Sequence, residues 1–328
     1  MVALATVTGL LVITNASAGS AHQEAVDAAV ATLREQADVE VVATSSPEDC
    51  DSAVANRDGR RVVVCGGDGS VHVVVSALHR AGDLHDPIGL IPLGTGNDLA
   101  RALGLPFDPA EAARVVLDGE PRQLDLLVDD AHGVVVNAVH LGVGAEAARK
   151  AASLKPRLGR LAYVVGGVTA GAAATGWRVA VRVDGRELVD GERPVLQAGI
   201  GLGRSVGGGS PLTPHSVFDD GLADVVVSLA VGPLARLGYG LRLRRGSHLD
   251  RPDVLTARGK EVVAAGEPFH YNADGEVRGP VERRVWTIHP EGWRLVTPRR
   301  PRAVRDSDGD GARHHADGDG DRAGGGRG

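Results

Sequence analysis

Up to about residue 122, short apolar runs alternate with amphipathic stretches. Segments 9–13 (GLLVI), 39–43 (VEVVA), 61–65 (RVVVC) and 88–93 (IGLIPL) are dense in Val, Leu and Ile, while 21–36, 47–56, 71–80 and 98–103 space their apolar residues at helical intervals. Apolar runs alternating with helical periods predict a parallel sheet with helices packed against it. Ligands of such sheets sit beyond the carboxyl ends of the strands.

From residue 123 the period shortens to two. VVVNAVHL, WRVAVRVDGREL, RPVLQAGIGL, ADVVVSLAV and RRVWTIHPEGWRLV read as antiparallel strands, Asp184-Gly185 marks a hairpin, and a helical insertion over 146–174 interrupts the series. The expected organisation is an α/β domain over 1–122, to which a last strand at about 288–298 returns, and a largely antiparallel β-domain over 123–287. Residues 299–328 are poor in apolar side chains and rich in Gly, Asp and Arg, a composition expected to stay disordered. Within them Asp306, Asp308, Asp310, Gly311 and Asp317 match part of a calcium-loop pattern, but Arg313 takes a normally apolar position and no flanking helices are evident.

Composition narrows the classes of function. The net charge of -6 supplies no general attraction for nucleic acid, whose binding rests on phosphate neutralisation by Lys and Arg. Aromatic residues make up only 3% of the chain and Gly reaches 46 residues, so Val, Leu and Ala must build the cores and backbone must come close to backbone or ligand at many points. Cys50 and Cys65 have no CxxC or His-rich companion and read as reduced thiols of a cytoplasmic protein. The apolar stretch 2–13 lacks the positive flank of a secretion signal, and 161–177 is short for a bilayer span.

Two glycine-rich loops carry the candidate chemistry. Gly66, Gly67, Asp68, Gly69 and Ser70 follow a strand and precede a helix, a place where bare backbone and a helix N-terminus can hold phosphate. Asp68 cannot bind phosphate by its own charge, but it can hold magnesium that neutralises phosphate oxygens. Gly94, Thr95, Gly96, Asn97 and Asp98 (in PLGTGNDLAR) stand at the same edge one strand later. Thr95 offers a hydroxyl to phosphate or ribose, and Asn97 and Asp98 can cap the next helix or reach the metal, capping alone being a sufficient account of Asp98.

GGDGS followed by PLGTGNDLAR resembles the catalytic domain of the diacylglycerol kinase and sphingosine kinase family. The likeness continues through Leu158-Gly159-Arg160-Leu161-Ala162-Tyr163, Gly207-Gly208-Gly209, PHSVFDDGLAD at 214–224 and Asp274-Gly275-Glu276, so that it covers about 10–297. It implies an NAD-kinase-like α/β domain followed by a largely antiparallel β-sandwich, with a cleft between them. ATP would be surrounded by Asn15, Ala16, Ser17, Ala18, Gly19, Thr44, 66–70 and Thr95, with Mg2+ as the second cofactor. Asp274 or Glu276 would accept the proton of a lipid hydroxyl, and Asp220 with the carbonyls of Val217 and Leu222 would form a second, structural metal site. The same likeness implies a lipid substrate met at a membrane surface, peripheral contact with the inner membrane face, and the option of a homodimer.

Where the family usually carries Asn and Glu after its GGDGT, this chain has His72 and Val73; Ala16 replaces a usual Pro and Leu202 a common Asn. These departures keep open a binding or regulatory protein of the same fold with weakened turnover. Another GGDG enzyme such as an NAD kinase is a further alternative, disfavoured by LGTGND, and a dinucleotide-binding reading of 142–147 (GVGAEA) lacks its acidic partner near 164. Basic residues that can dock on anionic lipid are Arg149, Lys150, Lys155, Arg157 and Arg160, and later Arg242, Arg244 and Arg245. Solvated surface charge accounts for them equally well.

Overall fold

A computed structural model describes residues 9–16, 19–142, 145 and 176–299. Four apolar runs become strands β1 (Gly9–Asn15), β2 (Asp38–Thr44), β3 (Arg61–Gly66) and β4 (Gly89–Pro92) of a parallel sheet in the order β2-β1-β3-β4. Val12 lies between Val41 and Val63 at the centre of this sheet, and β3 is buried along its whole length. The connections are helices α1 (Ser20–Arg34), α2 (Pro47–Ala55) and α3 (Asp68–Arg80), followed by α4 (Asp98–Leu103) and α5 (Pro109–Asp118). Ser46 and Asp49 form a reciprocal capping box on α2, which satisfies two of the N–H groups a helix start leaves over. Helix α5 goes beyond the periodic pattern read above; Asp108 caps it, Pro109 starts it, and its buried Ala112, Ala113 and Val116 are small enough to obscure the apolar stripe.

The rest is a ten-stranded sheet, β5 (Glu120–Asp129), β6 (Val134–Val135), β7 (Ala138–Gly142), β8 (Val179–Val183), β9 (Arg186–Asp190), β10 (Gln197–Gly201), β11 (Ala223–Ser228), β12 (Val254–Gly259), β13 (Glu261–Ala273) and β14 (Glu276–Thr297). Its main path runs β12-β11-β10-β7-β13-β14-β5-β6, with β8 on β13 and β9 on β8. The architecture is thus a parallel α/β part followed by a large antiparallel β part. Asp184-Gly185 makes the β8–β9 turn with φ of 49° and 75°, the left-handed backbone that favours Asp-Gly. At its far end β14 meets the parallel sheet: the Ile88 N–H donates to the Arg294 carbonyl at 2.9 Å, and the Val296 N–H to the Ile88 carbonyl at 2.8 Å.

VVVNAVHL is not one strand. It breaks after Val135 because the next N–H groups leave the ladder for a side chain described below. The sixth helix among the described residues, α6 (Pro233–Arg245), was also not legible as a helix, since it is apolar on more than one side and holds two internal glycines. Residues 158–163, the insertion with its basic residues, most of the 142–147 motif, Ser17, Ala18 and the tail from 300 onward lie outside the described residues.

Candidate active site

The carboxyl ends of β1, β2 and β3 open on a cleft of about 350 Å³. Asn15, Thr44, Gly67, Gly69 and Ser70 line it, as does Val73, which puts an apolar wall where the resembled family usually has a carboxylate. Ser45 and Ser46 also reach it, and no sequence motif had pointed to them. Ala16 joins β1 to β2 through its N–H to the Thr44 carbonyl at 3.0 Å, and Gly19 is the N-cap of α1. Thr95 is exposed on the second glycine loop. Every residue lining this cleft comes from the α/β part.

The glycines bring the two loops onto each other. A Cβ on Gly67 would lie 2.8 Å from the Gly94 Cα, and one on Gly94 would lie 2.4 Å from the Gly67 Cα. A Cβ on Gly69 would meet nothing within 4 Å, so at that position the backbone is open. The loops therefore divide their glycines between backbone contact and ligand access.

Asp68 belongs to this contact. Its Oδ2 accepts the Asp98 N–H and its Oδ1 the Leu99 N–H, each at 3.0 Å, so it caps α4 from the first residue of α3. Asn97, the N-cap residue by position, makes no capping bond; its side chain closes its own loop, accepting from the Gly94 N–H at 3.0 Å and donating to the Gly94 carbonyl at 2.7 Å. Capping also fails as the account of the Asp98 side chain, which accepts from Ser205 Oγ at 2.9 Å and from the Gly208 N–H at 2.8 Å. Burial pushes the pKa of Asp68 up; the two N–H bonds oppose this, and the charges of Asp98 and Asp274 add to it.

Asp274 sits on the β13–β14 turn, at φ 49°, and its side chain is 1% exposed. Its Oδ1 accepts the N–H groups of Asn137 and Ala138 at 3.0 and 2.9 Å, and its Oδ2 accepts the Val136 N–H at 2.6 Å. These are the N–H groups that break VVVNAVHL into two strands. His72, 2% exposed on α3, adds its Nδ1 to the same Oδ2 at 3.0 Å, and its Nε2 lies 3.5 Å from Glu276 Oε2. Burial disfavours a charged imidazole, but the bonds to Asp274 and Glu276 outweigh it and raise the His72 pKa to about 9. In return the bond to His72, helped by Arg278 at 3.0 Å and against partial burial, lowers Glu276 to about 2. Glu276, its side chain 46% exposed, is the carboxylate of the turn that solvent reaches.

These bonds close a circuit. Asp68 holds the start of α4; Asp98 on α4 holds Ser205; the Ser205 carbonyl accepts Asn137 Nδ2 at 2.9 Å; Asn137 and Asp274 are bonded; Asp274 holds His72, one helical turn along α3 from Asp68. Both glycine loops and the turn carrying Glu276 are thereby one hydrogen-bonded assembly. Sequence motifs named Asp68, Asp98 and Asp274, but not Ser205 or Asn137, and His72 only as a departure.

Three further expectations, Asp220, Val217 and Leu222, lie on the approach to β11. Asp220 Oδ2 is ion-paired with Arg258 Nη2, and its Oδ1 accepts the Leu222 N–H at 3.1 Å. Arg258 Nε also lies 3.3 Å from Asp224 Oδ1. Among the described residues no group of three or more His, Cys, Asp and Glu is placed to hold an ion. Arg258 thus occupies one oxygen of the carboxylate expected to hold the second metal.

Comparison with known proteins shows the family of the chain. The model of the diacylglycerol kinase catalytic domain matches residues 9–128, and that of the YegS C-terminal NAD kinase beta sandwich-like domain matches 137–297. A protein of Stenotrophomonas maltophilia (strain K279a) named "Probable lipid kinase YegS-like" is 34% identical over 236 residues, 69% of this chain and 74% of the relative. The chain belongs to the diacylglycerol kinase-like lipid kinase family. A "Diacylglycerol kinase" of Staphylococcus carnosus (strain TM300) is 30% identical over 68% of the chain and 72% of its own length. The crystal structure of a diacylglycerol kinase from Bacillus anthracis str. Sterne superposes with a TM-score of 0.68 at 20% identity, covering 89% of this chain and 97% of that one, which is a likeness of fold. As a family member the chain is a kinase, and among its described residues no helix is long and apolar enough to cross a membrane.

Proposed function

We propose that the chain transfers the γ-phosphoryl group of ATP to a lipid hydroxyl of the diacylglycerol type. The observation that carries this reading is the circuit joining the glycine loops of the cleft to the turn that bears Glu276. ATP would lie against the ends of β1–β3, its phosphates over the open backbone at Gly69 and the start of α3. Asp68 fits magnesium that arrives with the nucleotide: each of its oxygens accepts one N–H and keeps a second lone pair, and nearby carboxylates make a cation welcome. Such an ion would spread the charge on the transferring group.

The lipid oxygen forms a bond to the γ-phosphorus as the bond from that phosphorus to the bridging oxygen of ADP breaks. The hydroxyl proton passes to Glu276, the solvent-reached carboxylate of the turn, while Asp274 is occupied by three backbone N–H groups and His72 and positions the turn. A carboxylate held at about 2 is a weak base. Its contribution is then to orient the hydroxyl and receive its proton late, which suits the loose transition state of phosphoryl transfer.

ATP consumption with diacylglycerol, sphingosine and phosphatidylglycerol vesicles tests the reading. Turnover with diacylglycerol, abolished by omitting magnesium, is the expected result. ATP binding without turnover on any of the three would favour a binding protein of the same fold, the outcome that Val73 in the cleft wall makes worth testing.

A further inference from the structure

Helix α6 is apolar on two opposite sides, and only one of them is packed. Tyr239 is buried and, with Ala235 and Leu243, closes a small core over Leu196, Val226 and Val254. At the helical period Leu234, Leu237 and Leu241, spaced i, i+3, i+7, fall on the opposite side. They are 85%, 62% and 52% exposed, more than any other large apolar side chain among the described residues. Scattered exposed leucines are ordinary, but three in one stripe on one helix make a surface.

The charge on α6 says what covers it. Its sequence, PLARLGYGLRLRR, has four arginines and no acid, within a chain whose net charge is -6. Arg242, Arg244 and Arg245 are exposed, and Arg244 and Arg245 stand one turn beyond Leu241, continuing the leucine stripe. A second copy of the chain laid on this face would offer the leucines a partner, but α6 has no carboxylate for the arginines. An anionic lipid surface meets both needs, acyl chains for the leucines and headgroup phosphates for the guanidinium groups.

We propose that α6 docks the protein on anionic membranes, with Leu234, Leu237 and Leu241 entering the acyl boundary and Arg242, Arg244 and Arg245 bound to lipid phosphate. The need to reach a membrane rests on the lipid kinase reading above; the surface itself rests on exposure and charge. The helix is also tied to the site. In the 3-10 turn after α6, His248 Nε2 donates to the Leu212 carbonyl at 3.0 Å. Val206 and Ser210, just before it, bridge the loop whose Gly208 N–H donates to Asp98. Docking through α6 therefore holds the membrane against a segment bonded to the catalytic circuit.

Vesicle co-sedimentation tests this. The protein should pellet with vesicles containing phosphatidylglycerol, weakly with pure phosphatidylcholine, and less as salt rises to about 0.5 M and screens the arginines. Leu234→Ser/Leu237→Ser/Leu241→Ser should lower partition about tenfold or more, since three apolar side chains no longer leave water. Should that variant fold poorly, Leu237→Cys carrying an environment-sensitive dye gives a second readout. Cys50 and Cys65 are wholly buried, so the label goes to position 237, and its emission should shift to the blue on anionic vesicles. Turnover on a water-soluble short-chain diacylglycerol should be the same for the parent and the triple variant. An inactive parent in that assay counts against the kinase reading and leaves the docking result intact. No pelleting on anionic vesicles, a dye that stays unshifted, or a parent dimer that the triple substitution dissolves would each overturn the proposal.

Discussion

Replacing His72 by Leu keeps an apolar side chain of similar bulk at a buried position and removes both N–H groups that reach Asp274 and Glu276. Taking away one partner of a buried pair costs about 3–5 kcal/mol. Asp274 keeps three backbone N–H bonds, so the lower end, about 3 kcal/mol, is expected. The shift of His72 from 6.5 to about 9 leads to a similar figure, about 3 kcal/mol, at 1.36 kcal/mol per pH unit. The sign follows from linkage: a histidine whose folded pKa is raised contributes stability that is fully present below pH 6.5 and is lost as pH rises through about 9. Glu276, lowered from 4.5 to about 2, contributes above pH 4.5 and loses its contribution as pH falls through about 2. The network is therefore strongest between pH 4.5 and 6.5. Urea denaturation of parent and His72→Leu from about pH 6 to about pH 10 should show a gap of about 3 kcal/mol near pH 6 that shrinks to about 1 kcal/mol or less near pH 10. An equal gap at both pH values, or an imidazole resonance of His72 titrating near 6.5, would refute the charged bridge.

Glu276→Gln should still fold, with some loss of stability as the charge facing His72 and Arg278 goes, and lose about 10²–10⁴ in turnover, whereas Asp274→Asn should lower the melting temperature further, by several degrees, because its amide cannot accept all four bonds; the reverse pattern in melting and steady-state kinetics would exchange the roles. Asp68→Asn should cut turnover by about 10² or more and cost about 1 kcal/mol of stability, as one of the two capping acceptors of α4 becomes a donor; near-parental phosphorylation would remove Asp68 from the chemistry. Gly67→Ala should destabilise by about 1–3 kcal/mol, since its methyl would lie 2.8 Å from the Gly94 backbone, and an unchanged urea midpoint would show that the loops yield.

The period of the apolar residues was enough to read the alternation of β1 to α4 and the change to antiparallel strands after about residue 123, because those patterns are local. It was also enough to mark the glycine loops, since strand, glycine run and helix start are neighbours in sequence. Helix α6 escaped the same reading because it is apolar on its exposed side as well as its packed one, so no single stripe stands out. The roles within the site needed the tertiary structure. Asp68 and Asp98 look like equivalent loop carboxylates until one is seen to cap α4 and the other to hold Ser205 and Gly208, more than a hundred residues away. His72 and Asp274 are 202 positions apart, and nothing local signals that an unusual residue on α3 would meet the turn beside Glu276. A side chain's partners are set by which backbone groups the fold leaves unpaired nearby, and that accounting closes only when the strands and helices that supply them are packed together.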